Sequence, residues 1–313
     1  MTAPPTPDAA TIWRPDFPIA ARLTLSSLRR GAGDPCHRVT PDGAIWRTSR
    51  MPTGPVSYRI QQASPREVSA QAWGGGADEL IAKVPELLGS LDDPGGFEPR
   101  NAVVAAAVKR LPGLRIPRTG RLLESLVPAV LEQKVVGLDA FAMWRRLVTR
   151  FGDPAPGPVP DGMHVPPTSQ TWQEIPSWDW HRAGVEERKA RVITLAASYA
   201  GRLDAAVARD PADPAEVYRM LMAIPGIGVW TAHETGCRVL GDADAAPIGD
   251  FHLPALLGEA LGDGRAIPED EVEAFLEPWR PHRYRLVRLL ELTPGSRRER
   301  RAPRMPRVDH RAI

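Results

Sequence analysis

Cysteine is almost missing from this chain: Cys36 and Cys237, two hundred residues apart, are the only two among 313 residues. Two thiols cannot build a disulfide framework or a four-cysteine metal centre. The seven histidines and the scattered acids show no ligand spacing either, which disfavours a metal-dependent nuclease. Long apolar runs are missing too. Stretches such as Ala102 to Val108 fall far short of the roughly 18 residues that a membrane span needs. Met1 to Ala10 carries no basic start followed by an apolar run, so the expectation is a cytoplasmic protein with no membrane partner.

Net charge is only +2, and its distribution says more than its sum. Seven arginines against Glu299 and Asp309 leave an excess of five positive charges within Arg297–Arg311, so the remainder is close to neutral or mildly acidic. Any contact with nucleic acid outside that tail must come from local placement of charge. Pro303 and Pro306 predict an extended strap in the tail.

What is present is a change of period. Val56, Tyr58 and Ile60 alternate with Ser57, Arg59 and Gln61, and Pro41-Asp42-Gly43 is a turn signal before Ala44-Ile45-Trp46, so the first hundred residues read as antiparallel sheet packed on one side. Ala77 to Leu88 reads as its helix, kinked or shortened by Pro85. From about residue 101 the period becomes helical. Leu122, Leu126, Val127, Val130 and Leu131 form one stripe, and Phe141, Trp144, Leu147 and Phe151 another. Prolines from Pro154 to Pro167 predict a surface crossing between two helical lobes. The expected architecture is α+β: an N-terminal sheet domain (1–105), a two-lobed helical core (106–295) and a basic tail (296–313).

Asp213-Pro214-Ala215-Glu216 opens a helix with a capping side chain, proline in the first turn and glutamate three residues after the cap. That helix stops at Pro225-Gly226-Ile227-Gly228, and Val229-Trp230-Thr231-Ala232 begins another. Two readings stand for the isolated pattern. Glycine serves turn geometry alone, or it lets a backbone ligand approach while the next helix N-terminus offers free amides to a phosphate. Downstream, Asp250 stands directly before the apolar run Leu253, Leu256, Leu257 and Leu261, where an aspartate caps a helix and also fixes a negative charge.

Ile224-Pro225-Gly226-Ile227-Gly228-Val229-Trp230-Thr231-Ala232, followed twenty residues after the tryptophan by Asp250, resembles the helix-hairpin-helix DNA glycosylase superfamily, and within it bacterial 3-methyladenine-DNA glycosylase II. Leu131-Glu132-Gln133-Lys134, Arg188-Lys189-Ala190 and Pro278 to Tyr284 extend the resemblance across about residues 110 to 295. The resemblance implies that the hairpin (224–232), through Pro225, Gly226, Ile227, Gly228 and Thr231, grips damaged double-stranded DNA. Gln133 and Lys134 fall where the family fills the gap left by an extruded nucleotide. It implies Asp250 as the catalytic carboxylate, and Trp230, Glu234 and Arg288 as the substrate pocket.

Trp230 stands where bifunctional relatives carry a Schiff-base lysine, which implies a monofunctional, water-using enzyme. The resemblance implies no cofactor beyond a structural monovalent cation at the hairpin; the iron-sulfur cluster of some relatives is excluded by the cysteine count. It also implies a monomer associated with the bacterial nucleoid. Glu234 and Arg288 replace two aromatic pocket positions of the best-known relatives, and the expected arrangement is an ion pair between them. The implied reaction is excision of 3-methyladenine and 7-methylguanine. Excision of bulkier adducts or crosslinks, and a decayed DNA-binding hairpin protein, are the alternatives.

Overall fold

Val56, Tyr58 and Ile60 do form the apolar face of a central strand. The computed structural model describes residues 5–209 and 212–293; the basic tail and its expected strap lie outside them. Five strands, β1 (Ala9–Trp13), β2 (His37–Val39), β3 (Ile45–Met51), β4 (Gly54–Ser64) and β5 (Glu67–Trp73), make an antiparallel sheet in the order β1-β5-β4-β3-β2. Ile45 pairs with Ile60 and Ile60 with Ala70, which stacks apolar side chains across neighbouring strands. Helices α1 (Ala21–Ser26) and α2 (Ala77–Leu87) close this face around Leu25, Val56, Val68 and Val84. Pro85 sits in the last turn of α2 without interrupting it.

The other face is covered as well, which corrects the one-sided expectation. Trp46 pairs in register with Arg59, and Trp73 with Ser57, so both indoles lie opposite Tyr58. They stack at 5.3 Å and meet Met163, 3% exposed, from the proline-rich segment. That segment is therefore no bare surface crossing. It folds into a small ribbon, β6 (Asp153–Pro154) with β7 (His164–Val165), and His164 O accepts from Thr48 Oγ1 at 2.6 Å.

The helices fall around two larger clusters. α3 (Ala102–Arg110), α4 (Leu122–Glu132) and α5 (Gly137–Phe151) follow the sheet, then α6 (Ser169–Glu174), α7 (Ser177–Ala183), α8 (Glu187–Ser198) and α9 (Ala200–Val207). α10 (Pro214–Met222) and α11 (Val229–Val239) flank the glycine turn, and α12 (Leu253–Leu261), α13 (Val272–Leu276) and α14 (Arg283–Leu292) complete the chain. One cluster, around Leu126, Trp144, Trp172 and Leu221, gathers α4 to α11. The other, around Val104, Leu257, Leu276 and Leu286, joins α3 to α12, α13 and α14. The buried α4 accommodates Pro128 without a break. No helix among the described residues is long and apolar enough to cross a membrane.

Candidate active site at the hairpin

Asp213 accepts from Ala215 N at 3.0 Å and starts α10 as its sequence implies. The chain then turns through Gly226, whose φ of 95° is the left-handed region that suits glycine. A Cβ there would lie 2.4 Å from Val192 Cγ2, so packing against α8 also demands glycine. Gly228 differs. Its φ is −98° and a Cβ would meet nothing within 4 Å, so neither strain nor protein packing calls for glycine there. No side chain caps α11 at Gly228, and the amides of its first turn are those that a phosphate would use.

Gln133 braces the turn from α4: its Nε2 donates to Gly226 O at 3.0 Å and to Thr231 Oγ1 at 2.9 Å. Buried Lys189 donates to Leu131 O at 3.2 Å and so holds the end of α4 from α8. Thr231 is 2% and Ile227 5% exposed, so their side chains support the turn from inside and leave contact with DNA, expected through the hairpin amides, to their backbone. Pro225, Gly226 and Gly228 are exposed, as is Lys134, whose φ of 53° turns the chain sharply between α4 and α5.

Asp250 lies just ahead of α12. Its Oδ1 accepts from His252 N at 2.7 Å and Leu253 N at 3.0 Å, capping the helix, while its Oδ2 accepts from Trp230 Nε1 at 3.2 Å. Burial raises the carboxyl pKa above the usual value and the nearby Glu234 charge adds to the rise, opposed by the His252 amide and the indole. The loop leading to Asp250 is anchored from α11, since Ala246 N donates to His233 Nδ1 at 2.8 Å. His233 stacks on Tyr218 at 4.3 Å, and Tyr218 in turn donates to Asp242 at 2.5 Å.

Glu234 and Arg288 do not pair. Glu234 Oε1 lies 2.7 Å from Arg238 Nη2, one turn along the same helix, while Arg288 pairs with Glu291 and donates to Ser26 Oγ at 3.1 Å. Both arginines satisfy their charge locally, without closing a long loop. Sequence reasoning missed three members of this cluster. Arg238, 7% exposed, also donates to Ser27 O at 2.8 Å, and Arg30, 6% exposed, pairs with Glu132 at 3.2 Å. Burial raises the Glu132 pKa; Arg30 pulls it down, and Glu234 and Asp250 push it further up. The four-residue spacing of Glu234 and Arg238 was the available signal for their pair. A further residue, Phe251, is 61% exposed directly after Asp250, its ring edge against His252.

No protein-family profile matches the chain. Curated sequences from two strains of Mycobacterium tuberculosis, each described as a probable bifunctional transcriptional activator/DNA repair enzyme AlkA, are 31% identical over 280 residues. The alignment takes in 85% of this chain and 53% of the relative, so the chain spans about half the length of the curated relatives it matches. Among solved structures, a 3-methyladenine DNA-glycosylase from Archaeoglobus fulgidus superposes with a TM-score of 0.76 at 18% identity, over 90% of this chain and 97% of that one. The chain has the fold of a DNA glycosylase. The resemblance read from the hairpin and Asp250 therefore stands at the level of fold. A Clostridium acetobutylicum 8-oxoguanine glycosylase/lyase also matches, with a TM-score of 0.69 at 13% identity over 90% of this chain and 95% of its own. One fold thus carries unlike lesions and unlike chemistry, and the residues of the site must separate them.

Proposed function

We propose that the chain is a monofunctional DNA N-glycosylase that removes alkylated purines, 3-methyladenine and 7-methylguanine, from double-stranded DNA. The observation that carries the reading is the Asp250 carboxylate, fixed by two backbone amides and the Trp230 indole at the end of the loop that follows the hairpin helix. In this reading residues 106–295 form two helical lobes about the site, the two hydrophobic clusters supporting that division, with the sheet unit (1–105) packed beside them. The protein acts as a monomer in the bacterial nucleoid, and the scheme uses no cofactor.

A base inside a duplex is out of reach, so the target nucleotide rotates outward at a cost of a few kcal/mol of unstacking. The α11 amides behind Gly228 hold the strand, assisted by the exposed Lys134. Alkylation at a ring nitrogen makes the purine cationic. When the N-glycosidic bond breaks, its electron pair leaves with the base, which departs neutral, and positive charge develops on the sugar. Asp250 stabilises that charge while water attacks C1′ and loses a proton. Trp230 supplies an aromatic face to the cationic base, an attraction of roughly 0.5–2 kcal/mol. It offers no amine, so no Schiff base forms with the sugar.

The test is a panel of duplexes carrying 7-methylguanine, 3-methyladenine or hypoxanthine, with strands read before and after hot alkali. Nicks appearing only after alkali, fastest with the cationic purines, are the expected result. Faster release of hypoxanthine would overturn the substrate class, and release of none would favour bulky adducts or a binding-only protein.

A further inference from the structure

A cavity of about 460 Å³ lies between α5 and α7, lined by Arg145, Arg146, Arg150, Phe151, Asp179 and Arg182 among others. It opens at the far end of α5 from Lys134, roughly 20 Å along the helix at 1.5 Å per residue, and shares no residue with the hairpin site. Four arginines and one aspartate are among the lining residues, so the lining carries a formal excess of three positive charges in a chain whose net charge is only +2.

Three of the four arginines have partners within the fold. The Asp179 carboxylate, 5% exposed, lies 2.9 Å from Arg150 Nη2 and 3.6 Å from Arg182 Nη1. Arg146 Nη1 donates to Ala183 O at 2.9 Å. Arg145 has no ion pair or hydrogen bond among the described residues, and its guanidinium passes close to Gly33, where a Cβ would lie 2.5 Å from Arg145 Nη1. Capping of the α5 and α7 C-termini accounts for Arg146 and Arg150. It leaves Arg145 and Arg182 without a full partner, the second with its side chain 69% exposed.

One aromatic ring, that of Phe151, lies among the lining residues. The Arg150 guanidinium lies 5.4 Å from the centroid of the Phe151 ring. Trp178, 61% exposed, stands one turn before Arg182 on the same face of α7. Guanidinium groups beside a flat apolar ring are a combination that binds a nucleotide by its phosphate and its base together. The volume lies within the range of small-ligand sites.

We propose that this cavity binds a nucleoside phosphate, either free or as one unit of a nucleic acid single strand, separately from the duplex at the hairpin. The experiment uses the full chain saturated with an unlabelled duplex carrying an abasic analogue, titrated with AMP by calorimetry and with labelled oligothymidylate by fluorescence anisotropy at constant ionic strength. Binding of AMP identifies a free-nucleotide site, and binding of oligothymidylate alone a strand site. For whichever probe binds, the double variant Arg145→Gln, Arg182→Gln should weaken the affinity by about tenfold or more, the scale of lost charge-assisted hydrogen bonds. Trp178→Ala should weaken it independently, with single-turnover base excision unchanged in both variants. Failure of both probes to bind, or equal affinity in the double variant, would overturn the proposal.

Discussion

Trp230 and Asp250 are joined across twenty residues by an indole N–H that donates to the carboxylate at 3.2 Å. The bond links the first turn of α11, beside the glycine turn, to the start of α12. In the proposed scheme, a strand held at those amides is registered against the Asp250 carboxylate through one rigid side chain. Trp230 thereby helps to set the position of Asp250.

Asp250→Asn should abolish excision, by about a hundredfold or more, because it removes the charge that the developing sugar cation meets. The amide keeps an oxygen for the His252 and Leu253 amides. Its NH2 then meets the Trp230 indole N–H, donor against donor, while burying a neutral group beside Glu234 is less costly than burying a carboxylate, so the two effects oppose and the melting temperature should change little. Single-turnover kinetics and calorimetry check both halves; wild-type excision would remove Asp250 from the mechanism.

The proposed scheme uses Asp250 as the carboxylate, and its pKa lies above the ordinary 3.8 because of burial and Glu234. Activity should therefore be full above the folded-state pKa and fall as pH drops through it, with the acid limb displaced upward from the usual aspartate range. Glu234→Gln removes one cause of that rise and should move the limb to lower pH. A limb that stays in place would separate Glu234 from Asp250 electrostatically. In stability the sign is opposite: a raised folded pKa favours the protonated fold, and that contribution is lost as pH rises through it.

The two glycines of the turn should separate folding from binding. Gly226→Ala places a Cβ against Val192 at a φ of 95° and should cost about 1–3 kcal/mol of stability. Gly228→Ala meets no protein atom within 4 Å and should leave stability near wild type while weakening duplex binding. Equal DNA affinity in stable Gly228→Ala would show that no backbone ligand approaches this residue.

Arg238→Ala leaves Glu234 buried without its partner and the Ser27 carbonyl without its donor. Urea unfolding should show a loss of about 3–5 kcal/mol, the usual cost of breaking a buried ion pair from one side. Adding Glu234→Gln to that variant should restore part of the loss. No recovery would mean that Ser27, and not Glu234, is the important partner.

His233→Leu removes the acceptor that Ala246 N uses and should loosen the loop that carries Asp250. Burial lowers the His233 pKa, and Arg283 adds to that effect while Asp242 and Asp244 oppose it, so the ring remains a neutral acceptor near pH 7. The expected signature is a fall in the excision rate with duplex affinity little changed. A loss of affinity equal to the loss of rate would instead place His233 in DNA binding.

The glycine turn and Asp250 were legible because their signals are local: a capped helix, two glycines, a second helix and an acid before an apolar run. The sheet was legible for the same reason, through the alternation at Val56, Tyr58 and Ile60. The proline-rich segment was misread because proline excludes a helix without saying what the chain packs on, and its burial rests on Met163 and Val165. Arg30 reaches Glu132 across 102 positions, and Arg238 reaches Ser27 across 211. Neither partner carries a mark in the one-dimensional pattern, and the nearer Arg238 captured the charge of Glu234 that had been assigned to Arg288.

Those two long-range bonds bear on how such a chain can be taken apart. Ser27 and Arg30 belong to the sheet unit, while Glu132 and Arg238 belong to the helices. A helical fragment cut free of the first hundred residues would keep Glu132, Glu234 and Asp250 close together with one of their two compensating guanidinium groups gone. The chemistry is therefore not modular along the chain. Grafting this pocket onto another scaffold, or shuffling it with a homologous chain, requires carrying the 27–34 loop along with the hairpin.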